Sequence, residues 1–144
     1  MKQQRMSRRA FLNAGGDAAK GSCIILTMPM ILAACNQANE ARTKNSDFQL
    51  LSEEEGLEYS AISARIIPSN DTPGATEAGV IYFIDTVVAD NRDGEHQILK
   101  QGLTTLQSEG AAQFGVASFY LLNEEQQDQL LRQIESSEFF NTIR

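Results

Sequence analysis

The chain has 144 residues, with 12 Lys+Arg against 19 Asp+Glu and a formal net charge of −7. Such an acidic surface repels a phosphate backbone, which argues against nucleic acid as a partner. Two cysteines (Cys23 and Cys35) and a single histidine (His96) supply too few ligands for a zinc, haem or cysteine-bound iron–sulfur centre, and no disulfide framework. The length allows one small domain with a modest core.

The N-terminal stretch is basic, with Lys2, Arg5, Arg8 and Arg9. Ser7-Arg8-Arg9-Ala10-Phe11-Leu12 resembles the twin-arginine (Tat) leader that exports folded proteins, with Asn13 where lysine is common. Gly21 to Ala34 is an uncharged, apolar run of 14 residues. A stable membrane span needs about 20, so the run reads as the core of a signal peptide. It ends in Leu32-Ala33-Ala34-Cys35, which resembles a lipoprotein box. In that reading the Cys35 thiol carries the lipid. Two or more acyl chains would hold the protein stably at a membrane. A plain small-residue cleavage site is the alternative. Residues 1–35 are therefore expected to be leader.

After Cys35 the balance is 7 Lys+Arg to 18 Asp+Glu, or −11. Asn36 to Asp47 is polar and small, and reads as a flexible tether. Residues 48–144 should form the folded body. Ser52 followed by Glu55 is a capping box, and the helix it opens should end at Pro68. The loop Pro68-Ser69-Asn70-Asp71-Thr72-Pro73-Gly74 fixes φ at two prolines. Asp71 or Thr72 should cap the next helix, with Pro73 at its first position.

That second helix is expected over Ala75 to Asp90. Val80, Ile81, Phe83, Ile84, Val87 and Val88 form its apolar face, and Gly79 should permit a close helix–helix approach. Asn91-Arg92-Asp93-Gly94 is a turn. A third helix should span Glu95 to about Gln113, with Ile98, Leu99, Leu103 and Leu106 on one side. Phe114, Phe119 and Leu122 anchor a connector. Asn123-Glu124-Glu125-Gln126 is a second capping box, with Leu130, Leu131 and Ile134 after it. A last segment carries Phe139, Phe140 and Ile143. The body is thus expected to be all-α, about four helices in a small bundle or orthogonal array.

Chemistry-bearing groups are few. Any Ser-His-Asp set would have to use His96. Within Gly94-Glu95-His96-Gln97 it reads as a solvated histidine. Asp71, Glu77 and Asp85 are the carboxylates nearest to a calcium cluster, but their spacing is not that of an EF-hand. No catalytic, cofactor-binding or metal-ligating residue is assigned.

Several blocks resemble the gluconate 2-dehydrogenase subunit 3 family: Arg65-Ile66-Ile67-Pro68, Asp71-Thr72-Pro73-Gly74-Ala75, Glu77-Ala78-Gly79-Val80 and Tyr82-Phe83-Ile84-Asp85. Gly102-Leu103, Phe114, Leu122, Gln126-Gln127, Leu130-Leu131 and Glu138-Phe139-Phe140 continue the match. Many members run on into a Gly- and Trp-containing tail, whereas this sequence stops at Arg144 and has no tryptophan.

The resemblance implies a small, non-catalytic subunit of a periplasm-facing dehydrogenase of sugars, sugar acids or alcohols. The FAD would lie in the large subunit, and a cytochrome c subunit often relays electrons. The small subunit would lend its Tat leader to the folded partner and engage the Tat translocase. Docking is expected at Pro68, Asp71, Thr72, Pro73, Gly74, Tyr82 and Phe83. The plain alternative is a helix corner whose prolines only set a crossing angle. The rival function is a stand-alone, Tat-exported lipoprotein that binds a ligand or shapes the envelope. A small hydrolase using His96 or the acidic residues is a third.

Overall fold

A computed structural model of the chain describes residues 27–90 and 94–144. The described residues form seven α-helices and no strand: α1 Met28–Lys44, α2 Glu53–Ile66, α3 Ala75–Ala78, α4 Val80–Asp90, α5 Glu95–Phe114, α6 Glu124–Gln133 and α7 Glu138–Ile143. A 3-10 turn at Phe119–Leu121 precedes α6. The all-α expectation holds. Among the described residues no helix is long and apolar enough to cross a membrane.

The helix starts follow the capping chemistry. Glu55 N–H donates to Ser52 Oγ at 3.2 Å while Ser52 N–H donates to Glu55 Oε2 at 2.9 Å. Asn123 and Gln126 repeat the exchange at α6, at 3.0 and 3.2 Å. Each arrangement satisfies two main-chain donors that a helix N-terminus otherwise leaves without partners. The core is built by α2, α4, α5, α6, α7 and the 3-10 turn. Its largest fully buried side chains include Tyr59, Ile62, Leu99, Leu106, Phe119 and Leu130.

Two carboxylates are buried beside this core. Glu58 on α2 accepts from Gln107 Nε2 on α5 at 2.8 Å and from the Tyr120 N–H at 3.1 Å. Asp85 on α4 accepts from the main chain just ahead of α2. Both charges are therefore partnered, as burial requires.

Several expectations are corrected. The segment Asn36 to Asp47 is not a tether, because α1 runs to Lys44 and packs along α4. Ala34 and Ala38, one turn apart, are the buried contacts. The expected helix from Ala75 to Asp90 is two helices. Gly79 takes a left-handed conformation, φ 69°, and ends α3. It is a C-cap, and its missing Cβ also leaves room for the Arg42 stem of α1. The N-cap of α3 is Gly74, and neither Asp71 nor Thr72 fills that role. Finally, His96 is half-buried, and its Nε2 is buried with no partner among the described residues, so it is not simply solvated.

Candidate partner-docking surface

The corner between α2 and α3 is tightly determined. Ile67 closes α2 by donating its N–H to Ser63 O at 2.8 Å, and its own carbonyl accepts the Ala75 N–H at 2.9 Å. Asn70 folds back on its own loop, its side-chain oxygen accepting from Thr72 N–H at 3.0 Å and Thr72 Oγ1 at 3.1 Å. This is the local turn chemistry that asparagine favours. Gly74 is buried under the loop, where a Cβ would lie 2.7 Å from the Ile67 carbonyl oxygen. Only glycine allows that approach of two backbones.

Glu77 finishes the corner. Its Oε2 accepts the Ser69 hydroxyl at 2.6 Å and the Gly74 N–H at 3.1 Å. The Ser69 hydrogen bond, with help from main-chain N–H groups, holds the Glu77 carboxyl below the usual carboxylate range. Arg42 reaches across from α1, donating to the Glu77 carbonyl at 2.7 Å and to Asn39 Oδ1 at 3.0 Å. Its aliphatic stem lies over Gly79. Thus α1 is clipped to the α3–α4 junction.

The sequence-derived docking residues divide in three. Pro68, Asp71, Thr72 and Pro73 are exposed on the loop. Gly74 lies beneath them and acts only on their shape. Tyr82 and Phe83 are both half-buried, but adjacent helix positions point about 100° apart. Tyr82 packs on Phe48, with ring centroids 5.5 Å apart and planes at 43°. Phe83 instead lines a groove with Ile66, Ile67, Val80 and Ile143. Ile67, half-exposed, joins this groove to the loop.

Sequence reasoning missed Arg42, Ile67 and Ser63. Arg42 fell in the supposed tether, Ile67 sits beside a proline that drew attention to the loop, and Ser63 lies a turn earlier in α2. Cys35 is exposed on α1. The export residues Ser7, Arg8, Arg9, Phe11 and Leu12 lie outside the described residues.

The three carboxylates Asp71, Glu77 and Asp85 do not converge. Asp85 faces residues 49–51 and Glu77 faces Ser69 and Gly74, while Asp71 is exposed on the loop. Among the described residues no group of three His, Cys, Asp or Glu is placed to hold a metal ion. On the opposite side of α2, Arg65 donates to Asp128 Oδ1 at 2.7 Å and Oδ2 at 2.9 Å, and lies 3.0 Å from Glu124. This fork ties α2 to α6.

A small all-α protein that displays a rigid proline corner beside an apolar groove is the class these features define. The chain belongs to the gluconate 2-dehydrogenase subunit 3 family, whose model matches residues 53–143, well over half of the sequence. The match runs from the first residue of α2 to the last of α7, and leaves α1 outside it. Membership implies association with a larger dehydrogenase subunit. No curated protein and no solved structure was found to match the chain.

Proposed function

We propose that this chain is a non-catalytic small subunit that binds an FAD-dependent dehydrogenase of sugars, sugar acids or alcohols. It escorts that partner, already folded, through the twin-arginine route. It then holds the partner on the periplasmic side of the membrane through a lipid on Cys35, a processing step that removes Ala34 and leaves Ala38 as the buried contact of α1. The family match across the whole body, α2 to α7, carries this reading. The leader motif at Ser7 to Leu12 supports the route, since a flavoprotein must enclose its FAD before export.

The corner supports the docking role. Exposed loops on a rigid scaffold commonly carry binding, and pre-set backbone lowers the ordering cost of association. Pro68, Pro73 and the Glu77 contacts provide that pre-setting.

The test is co-purification. The tagged chain, co-expressed with an FAD-dependent dehydrogenase large subunit from the same source, should bring down a protein with the visible absorbance of oxidised flavin. Capture with no flavin would overturn the reading. A second arm changes Arg8 and Arg9 to lysine. Partner flavin activity should then fall in the periplasm and stay in the cytoplasm. In a third, Cys35→Ser should move the exported complex from the membrane fraction to the soluble one.

A further inference from the structure

The groove beside Phe83 deepens into a half-enclosed cavity of about 290 Å³ between α2, α4, α5 and α7. Its wall is mainly apolar: Ile66, Phe83, Ile84, Val87, Leu99 and Ile143 all contribute. A dry apolar cavity of about 150 Å³ already accepts benzene, so this space admits a substituted ring or a short branched chain.

One polar group breaks the pattern. Ser63 lines the cavity, is only 5% exposed, and its Oγ is buried with no hydrogen-bond partner among the described residues. Buried hydroxyls are nearly always partnered, because leaving one without a partner costs free energy. Other polar side chains stay at the mouth. Asn141 and Arg144 are exposed there, and the Thr142 hydroxyl is already committed to the Glu138 carbonyl at 2.9 Å. An ionised group pushed to the inner wall would meet isoleucine and valine with one hydroxyl to solvate it, which is prohibitive. A hydrocarbon would leave Ser63 as it is. A neutral ligand with one oxygen at its buried end satisfies both demands.

We infer that this cavity is a binding site for a small, neutral, ring-sized apolar molecule that carries one hydroxyl or carbonyl oxygen, held by Ser63 Oγ. This goes beyond the subunit role and does not depend on it. The ligand enters past Ile67 and Arg144, on the same side of the body as the proline corner.

The probe pair is p-cresol and p-xylene, which differ by a hydroxyl in place of a methyl. Each is titrated into the full chain carrying ¹³C-labelled methyl groups. With p-cresol, saturable shifts should appear at Ile66, Val87 and Ile143 and be missing at Leu57 and Leu121 on exposed surface elsewhere. It should bind roughly three- to tenfold tighter than p-xylene, the range one neutral hydrogen bond gives. Ser63→Ala should abolish that preference while keeping or raising the melting temperature, since it removes an unpartnered hydroxyl.

Equal binding of the two probes to the unaltered chain would overturn the site as described. So would a preference that survives Ser63→Ala, shifts spread over several surfaces as for an adventitious additive only, or no saturable binding of either probe. A lower melting temperature in Ser63→Ala would show that the hydroxyl already has an internal partner, and would overturn it too. None of these arms requires the large subunit. Failure of flavin co-purification and failure here are therefore separate results.

Discussion

The carboxylate of Asp85 accepts the main-chain N–H of Leu51 at 3.0 Å, from a position in the middle of α4. The same carboxylate takes the N–H groups of Leu50 at 3.0 Å and Gln49 at 2.7 Å. Three consecutive donors converge on one buried side chain, so this segment is satisfied by a residue more than thirty positions away. It fixes where α2 begins relative to α4, and hence the angle at which the corner is presented. Asp85→Asn keeps the shape but turns an amide NH₂ toward main-chain donors. The expected cost is about 2–4 kcal/mol, the loss of charge-assisted bonds plus donors left without acceptors. Urea unfolding of the two chains measures it. A loss below about 1 kcal/mol would mean that residues 49–51 find other acceptors.

The Arg65 fork predicts a pH dependence. Hydrogen bonds from Arg65 hold the Asp128 carboxyl below the ordinary carboxylate range. The unfolded chain therefore takes up this proton at higher pH than the folded chain does. The resulting stabilisation is complete above the unfolded value of about 4 and is lost as pH falls through the lower folded value. Asp128 is 34% exposed at the side chain, so solvent screening limits the gain to about 1 kcal/mol. Asp128→Asn should lower stability by that amount at neutral pH, and the gap between the two chains should close toward pH 2 (roughly two units below the free carboxyl). Parallel urea curves across that range test the sign. A gap that widens in acid would contradict it.

Arg42 shows why part of the fold was not legible. Asn36 to Lys44 contains no residue that demands burial, and its composition resembles a linker. What makes it a helix in place is the small pair Ala34 and Ala38 lying on α4, with Arg42 over Gly79. That partner surface cannot be seen in a local window. Gly79 was read only in part for the same reason. As a gap in an apolar run it suggested close packing, which the Arg42 stem supplies, but its positive φ also stops one helix and starts another. By contrast, Ser52 with Glu55 and Asn123 with Gln126 are complete local mechanisms, and both helix starts could be read directly. The proline corner was legible as a loop because Pro68, Pro73 and Gly74 are conformational statements in themselves. The groove was not, since Ser63, Phe83 and Ile143 are brought together only by the tertiary fold.

The clip between Arg42 and the Glu77 carbonyl predicts local rather than global effects. Arg42→Ala removes an exposed hydrogen bond and the stem over Gly79, for about 1 kcal/mol. Since α1 buries mainly two alanines, this loss should fall on α1 alone. Amide exchange over residues 36–44 should speed up about fivefold, the factor for that free energy, while α5 and α6 stay unchanged. Uniform acceleration over the whole body would show that α1 is part of the core.

Gly102 sets two opposing effects against each other. It lies in the interior of α5, where alanine would normally be better by about 1 kcal/mol. However, a Cβ there would run into the ring of Phe139, buried on α7. The ring is pinned from behind by the core and cannot simply swing away. Relieving the clash requires α5 and α7 to separate, at about 1–3 kcal/mol beyond the helix gain. Gly102→Ala is thus expected to destabilise by about 2 kcal/mol despite its better helix propensity. The cycle with Phe139→Ala decides the cause. If the ring is responsible, the double variant should be more stable than the sum of the two single losses implies, because alanine removes the Cγ and Cδ2 atoms that the new methyl would meet. Strict additivity would place the cost in the α5 backbone instead. Since Phe139 and Ile143 share α7, and Ile143 walls the cavity, the same separation should weaken p-cresol binding in Gly102→Ala, which connects packing at one end of α7 to the site at the other.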